Sequence, residues 1–153
     1  MKQIYILILK KKKYYIGSSD DVEASYLEHI NGKYEWTRKY EPDGKMTSFS
    51  STGPFDEDNH VKMYMAKYGI DNVRGGSYST VKLNPWQRAL IEKEIRYAKD
   101  LCFNCGQSGH YIKECSSPLC CIRCGKLDHD YTKCRAKKHI NGTRLVDSSC
   151  RLI

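Results

Sequence analysis

Six cysteines and two histidines after residue 101 fall into two matched sets. Cys102, Cys105, His110 and Cys115 form the first, in CFNCGQSGHYIKEC; Cys121, Cys124, His129 and Cys134 form the second, in CIRCGKLDHDYTKC. Both read Cys-x2-Cys-x4-His-x4-Cys, with no residue gained or lost. Three thiolates and one imidazole complete the tetrahedral shell that a structural zinc ion takes. The two-residue gap lets both leading sulfurs reach one ion across a tight turn, and Gly106 and Gly125 follow where the backbone must bend around it. Two structural Zn2+ ions are therefore the expected cofactors. Cys120 and Cys150 are left over; Cys120 competes with Cys121, but only Cys121 keeps the repeat spacing.

The competing use of cysteine is a disulfide framework. All eight cysteines lie after residue 101, so none can staple the first hundred residues. The opening MKQIYILILKKKK has no small-residue cleavage site, and its apolar run is too short for export or for a membrane span. The expectation is an intracellular protein, in cytoplasm, nucleus, a viral particle or a replication compartment, not secreted and with no membrane partner. A reducing compartment favours metal over disulfides.

The two units resemble the zinc knuckles of retroviral nucleocapsid and many RNA-handling proteins. The first matches in full, including Gly109 before the histidine; the second has Asp128 there, which predicts a slightly strained turn. So small a unit has almost no apolar core, so metal binding supplies its folding free energy. The resemblance implies a platform of exposed side chains beside backbone donors: Phe103, Tyr111 and Ile112 in the first unit, Ile122 and Tyr131 in the second. Unpaired bases stack on aromatic platforms at about 1–3 kcal/mol per base. The alternative is that these residues only pack a tiny fold.

Charge points the same way. The formal net charge is +8 over 153 residues, and +5 of it lies from Lys99 onward. Six thiolates and two Zn2+ ions together lower the total to about +6. The tail RAKKHINGTR offers Arg135, Lys137, Lys138 and Arg144 to phosphates beside the second unit. Single-stranded RNA or DNA is the expected partner.

The elements before residue 101 predict an α+β domain, a small antiparallel sheet with flanking helices. Ile4 to Leu9 and Tyr14 to Gly17 read as strands joined at Lys10–Lys13, where the lysines form a solvated hairpin turn. Asp20 or Asp21 caps a helix to about Ile30, with Val22, Tyr26, His29 and Ile30 along one face, and Asn31-Gly32 ends it. Residues 32–55 read as loop-rich, with a strand at Met46–Ser50. A second helix starts at the acidic cluster Asp56-Glu57-Asp58, which suits its positive end, and Gly69 closes it. SYSTVKL reads as a short strand. Asn84 then caps and Pro85 begins a third helix. The expected organisation is 1–83 as the α+β domain, 84–101 as a connecting helix, 102–115 and 121–134 as the knuckles, and 135–153 as a basic tail.

Tyr5 in IYIL and the later Tyr15-Ile16-Gly17 resemble the two half-motifs of the GIY-YIG nuclease domain. The order of YIGSSDD, a helix ending in EH, WTRKY, an acidic helix start and YGIDNVRGGSY is similar over roughly residues 3–82. Similar pairings of this domain with knuckles occur in proteins of large DNA viruses. The resemblance implies a divalent-metal-dependent endonuclease. Tyr5 and Tyr15 take its tyrosine positions, His29 a frequent histidine position and Glu57 the carboxylate for Mg2+ or Mn2+. Asp58 falls on a neighbouring helix face. The metal polarises a phosphodiester, a tyrosine positions or deprotonates water, and arginine neutralises developing charge.

Two departures divide the expectations. Gln3 replaces the first glycine, and the family's arginine position, eight residues after Gly17, is Ser25. Serine supplies neither the charge nor the fork of donors; Arg38 and Arg74 are the arginines that could reach the site from elsewhere. Without the resemblance, Tyr5 and Tyr15 read as core tyrosines, His29 as a packing histidine and Glu57 as a helix-start charge. Three functions follow: a zinc-dependent nucleic-acid-binding protein on an inactive nuclease fold, an active endonuclease targeted by its knuckles, or a zinc-knuckle protein-interaction module.

Overall fold

The computed structural model describes residues 1–117, 121, 123, 124, 126, 129 and 133–138. The chain divides into two compact units, Met1–Lys82 and Leu83–Ile153. The first is α+β; most of the described residues of the second lie outside regular elements.

Strands β1 (Gln3–Leu9) and β2 (Lys13–Ser19) form an antiparallel hairpin in which Tyr5 faces Gly17 and Leu7 faces Tyr15. Lys11 and Lys12 close it with positive φ angles of 60° and 56°, the hand that a tight hairpin requires. Such backbone costs on the order of 1 kcal/mol per non-glycine residue. A clamp on the neighbouring residue offsets it: the Lys10 amide donates to the Glu41 carbonyl, and its ammonium lies 2.6 Å from the Glu41 carboxylate.

Strand β3 (Pro42–Ser50) pairs antiparallel with the other side of β1, and β4 (Val73–Gly75) pairs parallel with β2, giving the order β3-β1-β2-β4. The sheet thus departs from the purely antiparallel expectation at β4. Gly75 is required there: a Cβ on it would overlap the Ile16 carbonyl, and its φ is +145°. β3 is longer than the Met46–Ser50 reading, and its side chains are largely exposed, as an edge strand permits.

Helix α1 (Val22–Ile30) starts where Asp21 accepts from the Ala24 amide at 3.0 Å, and ends at Asn31 and Gly32. Its buried residue is His29; Ile30 is 53% exposed, so the expected apolar face stops one residue short. Helix α2 (Glu35–Lys39), within the stretch read as loop, buries Trp36 and Thr37. Five residues are too few to nucleate a helix alone. Trp36 fixes this one by joining the Tyr5, Leu7, Leu9 and Tyr15 cluster and donating its indole N–H to the Tyr14 carbonyl. Helix α3 (Asp56–Tyr68) contributes buried Val61 and Met65 and packs on β2 and β4. With helices on its two sides, the centre of β1 is buried at four consecutive residues, Ile4 to Leu7.

SYSTVKL forms no strand; Tyr78 makes only an isolated bridge with Gly75. Arg74 explains this. Its guanidinium is buried, lies 4.8 Å from the Trp36 ring centroid, and donates to the Ile70, Val73, Thr80 and Val81 carbonyls. Two of those carbonyls belong to the segment that the sequence pattern would have placed in a ladder.

In the second unit, helix α4 (Pro85–Ala98) is capped by the Asn84 side chain, which accepts from the Trp86 amide at 2.8 Å. Among the described residues no helix is long and apolar enough to cross a membrane.

Replacing Arg74 by methionine keeps most of the bulk but leaves these buried carbonyls without that donor. The expected loss is about 3 kcal/mol in urea unfolding followed by tryptophan fluorescence. A variant as stable as the parent would refute the guanidinium's structural role.

Candidate metal centres and the aromatic cluster of the first unit

Cys102, Cys105, His110 and Cys115 bring one ligand atom each into a cluster whose members all lie within 4.8 Å of one another, and Cys121, Cys124, His129 and Cys134 do the same. The turns that achieve this repeat: the Cys102 amide donates to the Gln107 carbonyl and the Cys121 amide to the Lys126 carbonyl, both at 2.8 Å. Gly106 takes φ +76° and Gly109 +91°. In both clusters Nε2 of the histidine faces the second cysteine, at 3.3 Å from the Cys105 sulfur and 3.4 Å from the Cys124 sulfur. Tetrahedral bonds of about 2.3 Å to sulfur and 2.0 Å to nitrogen put such a pair about 3.5 Å apart. The donor sets therefore fit zinc in type, number and spacing.

Neighbours prepare the thiolates. The Asn104 amide donates to the Cys115 sulfur at 3.4 Å and to the Ser117 carbonyl at 3.1 Å. With Asn104 the largest cause, the Cys115 thiol is drawn down to about 6. Burial raises the Cys134 thiol, but contacts from His129, Ala136 and Arg123 outweigh it and draw it down to about 6. Burial pushes Cys121 up to about 12, which a bound cation would have to reverse. Arg123 is 1% exposed, donates to the Cys134 sulfur at 3.1 Å and the Ala136 carbonyl at 2.9 Å, and lies 5.8 Å from the Trp86 ring centroid. Three thiolates around one Zn2+ carry a net negative charge, so this buried guanidinium has a counter-charge.

Asn104 and Arg123 hold the same place in the two Cys-x2-Cys gaps, a correspondence visible in the sequence that the motif reading passed over. Arg96, also missed, donates to the Phe103 carbonyl at 2.6 Å and the Asn104 carbonyl at 3.3 Å. Of the expected platform, Tyr111 is 63% and Ile112 39% exposed, and Phe103 is half-buried beside them. Arg135, Lys137 and Lys138 are exposed. Ile122, Tyr131, Gly125, Asp128 and Arg144, together with the spare Cys120 and Cys150, lie outside the described residues.

The first unit gathers Tyr5, Tyr15 and His29. Gly17 makes room: a Cβ there would overlap the Tyr5 ring. Tyr15 and Tyr34 pack their rings on His29, with centroids 4.5 and 4.3 Å away. The Tyr5 hydroxyl is 2.9 Å from His29 Nε2, His29 Nδ1 is 3.0 Å from the Thr37 hydroxyl, and that hydroxyl donates to the Tyr34 carbonyl. Every group is satisfied when Tyr5 donates to Nε2 and Nδ1–H donates to Thr37. Burial, reinforced by the charge of Glu57 among others, pushes both Tyr5 and Tyr15 well above the ordinary phenol range. A neutral Tyr5 that donates to histidine can position a ligand but is no base. Burial holds His29 down at about 4.

The other residues named for the nuclease resemblance make the following contacts. Glu57 accepts from the Ser18 hydroxyl at 2.6 Å, and Asp58 holds Ser77 through its amide and hydroxyl. The Ser25 hydroxyl donates to Ser19 at 2.8 Å. Arg74 is committed to backbone carbonyls, and Arg38 donates to the Gly32 carbonyl at the surface.

The zinc-knuckle family matches residues 100–117, so this segment is similar to a zinc knuckle. Two known proteins are similar to part of the chain. The Gag-related polyprotein of the mouse intracisternal A-particle MIA14 is 40% identical over 48 residues, 27% of this chain and 6% of its own length. Human zinc finger CCHC domain-containing protein 9 is 40% identical over 58 residues, 33% of this chain and 21% of its own length. The chain therefore spans only a small part of either relative. No solved structure matches it.

Asn104→Ala should weaken zinc at the first site by roughly tenfold in chelator competition, the usual effect of losing a ligand's hydrogen-bond partner; unchanged affinity would show Asn104 to be dispensable. His29 supplies a second test. Its folded pKa of about 4 lies below the ordinary 6.5, so between those values the unfolded chain binds the extra proton. Stability is then highest above pH 6.5, falls as pH drops towards 4, and changes no further below that on this group's account. His29→Gln should remove that part of the slope; parallel profiles for the two proteins would contradict it.

Proposed function

We propose that this protein binds single-stranded nucleic acid in a zinc-dependent manner through two knuckles. The observation that carries this reading is the repeated convergence of three sulfurs and one imidazole, with exposed Tyr111 and Ile112 beside Phe103 in the first repeat. Ions order the turns, rings take unpaired bases, and Arg135, Lys137 and Lys138 hold phosphates. RNA and DNA both present the base faces such rings need. Ile122 and Tyr131 serve the second knuckle in the same way. The protein works in an intracellular, reducing compartment.

The first unit is, in this reading, a GIY-YIG-like fold used as a binding and docking scaffold. Supporting this, Ser25 occupies the arginine position and Arg74 is tied to backbone. The second reading, an endonuclease using Mg2+ or Mn2+ at Glu57, is favoured by one observation: the Ser18 hydroxyl, on the strand that carries Tyr15, holds the Glu57 carboxylate at 2.6 Å. A knuckle that clips another protein is the remaining alternative.

Binding to a labelled single strand should weaken about tenfold on Phe103→Ala and again on Tyr131→Ala, and should weaken with rising salt. Affinity indifferent to both substitutions would remove the stacking reading and leave protein interaction. Incubating strands and duplexes with Mg2+ or Mn2+ decides the role of the first unit. No cleavage is expected, and cleavage abolished by Glu57→Ala would make the protein a nuclease.

A further inference from the structure

The last turn of α4 carries a ring that the knuckle motif does not include. Tyr97 is 76% exposed, whereas the core tyrosines Tyr5 and Tyr15 are 3% and 7% exposed, so packing does not account for it. Its ring centroid lies 6.5 Å from that of Phe103, with the planes 39° apart. Tyr97, Phe103 and Tyr111 line one open groove together with Arg96, Leu101 and Asp100. Two rings with a flat molecule between them stand about 7 Å apart, twice a carbon–carbon contact distance. A small swing of the exposed Tyr97 supplies the difference.

The ring's backbone is fixed. The Tyr97 carbonyl accepts from the amides of Lys99 and Asp100, and the Leu101 amide donates to the Arg96 carbonyl. Arg96 then bonds the helix end to the knuckle backbone at Phe103 and Asn104. Neighbouring residues thus divide the work, Arg96 holding the knuckle and Tyr97 facing the groove. Charge selects what enters. Asp100 lines this groove and, with Glu114, the adjoining hollow around His110 and Tyr111. Two carboxylates repel a phosphate from that side. The Lys93 ammonium lies 5.9 Å from the Phe103 ring centroid and attracts one.

We propose that α4 is part of the nucleic-acid site, and that Tyr97 and Phe103 clamp one unpaired nucleobase while its phosphate passes on the Lys93 side. This rests on the reading of the knuckles as a nucleic-acid module and adds a base site that the Cys/His motif alone does not contain. Arg96 is a positioning residue, acting through the helix end it holds against the knuckle.

The test uses the full zinc-loaded chain with a short fluorescein-labelled single strand and an abasic strand of the same length, comparing Tyr97→Ala, Tyr97→Phe and Phe103→Ala. Zinc content and circular dichroism confirm that each variant is folded. Tyr97→Ala is expected to lose about tenfold in affinity for the base-bearing strand and nothing for the abasic one. Tyr97→Phe should stay within about twofold of the parent, because the ring and not the hydroxyl stacks. Equal losses on both strands would overturn the base clamp. If Phe103→Ala weakens binding and Tyr97→Ala does not, the helix lies outside the site, although the knuckle reading stands. If neither substitution changes affinity, the clamp falls and Phe103 takes no base, and Tyr131→Ala then decides whether the knuckle reading falls with it.

Discussion

Four ligand atoms must converge within bonding reach of each ion, and after residue 101 that requirement takes the place of ordinary core packing. The most buried cluster around the second repeat consists of Cys121, Cys124 and Cys134, with Ala136 against them. These side chains are ligands first and core second. The left-handed Gly106 and Gly109 of the first repeat, and a matching amide-to-carbonyl bond in each repeat, are the local means of convergence. Asn104 and Arg123 then offset the negative charge that three thiolates concentrate. Short intervals between ligands keep the entropy of closing each loop small, so a segment with so few apolar residues can hold a defined shape.

The first unit depends on an ordinary constraint, the close approach of Tyr5 to Gly17. That approach carries the Tyr5 hydroxyl to His29, which in turn reaches Thr37 and the Tyr34 carbonyl. The polar chain runs through a buried layer, so each member needs its neighbour. Ring packing by Tyr15 and Tyr34 favours the neutral imidazole. Neither arginine that could have supplied charge to this layer does so: Arg74 is spent on backbone carbonyls, and Arg38 donates to the Gly32 carbonyl at the surface. The two units thus differ in kind, one stabilised by buried rings and the other by ligands.

What the sequence reveals follows from how local each cause is. The Cys/His sets are legible because their ligands lie within fourteen-residue windows. Helices α3 and α4 are legible through the acidic start at Asp56, the Asn84-Pro85 cap and the closing Gly69. Helix α2 is not, because its cause is the burial of Trp36 against strands more than twenty residues away. Nor is β4, a three-residue strand whose parallel pairing depends on Gly75 passing the Ile16 carbonyl. SYSTVKL has a strand pattern, but Arg74 takes its carbonyls, and no periodicity announces an arginine that bonds backbone. Of the metal surroundings, Asn104 and Arg123 could have been found from their matching places in the repeats. Arg96 could not, because its partners are carbonyls.

For the nucleic-acid partner proposed above, the ion acts through charge and through shape, in opposite directions. With thiols protonated the chain carries +8, and with both ions bound about +6. Taken as a point charge, zinc thus opposes association with a polyanion. Any gain it brings must come from shape. The route is visible in Arg96, whose donors meet the carbonyls of Phe103 and Asn104: a knuckle ordered by its ligands offers those carbonyls in place, and the helix end is held with them. Stacking surfaces that would otherwise be ordered at the moment of binding are then ordered beforehand, and the entropy of arranging them is no longer subtracted from affinity. In the proposed site, metal, helix end and rings act as one device in which the ion contributes geometry in spite of its effect on charge.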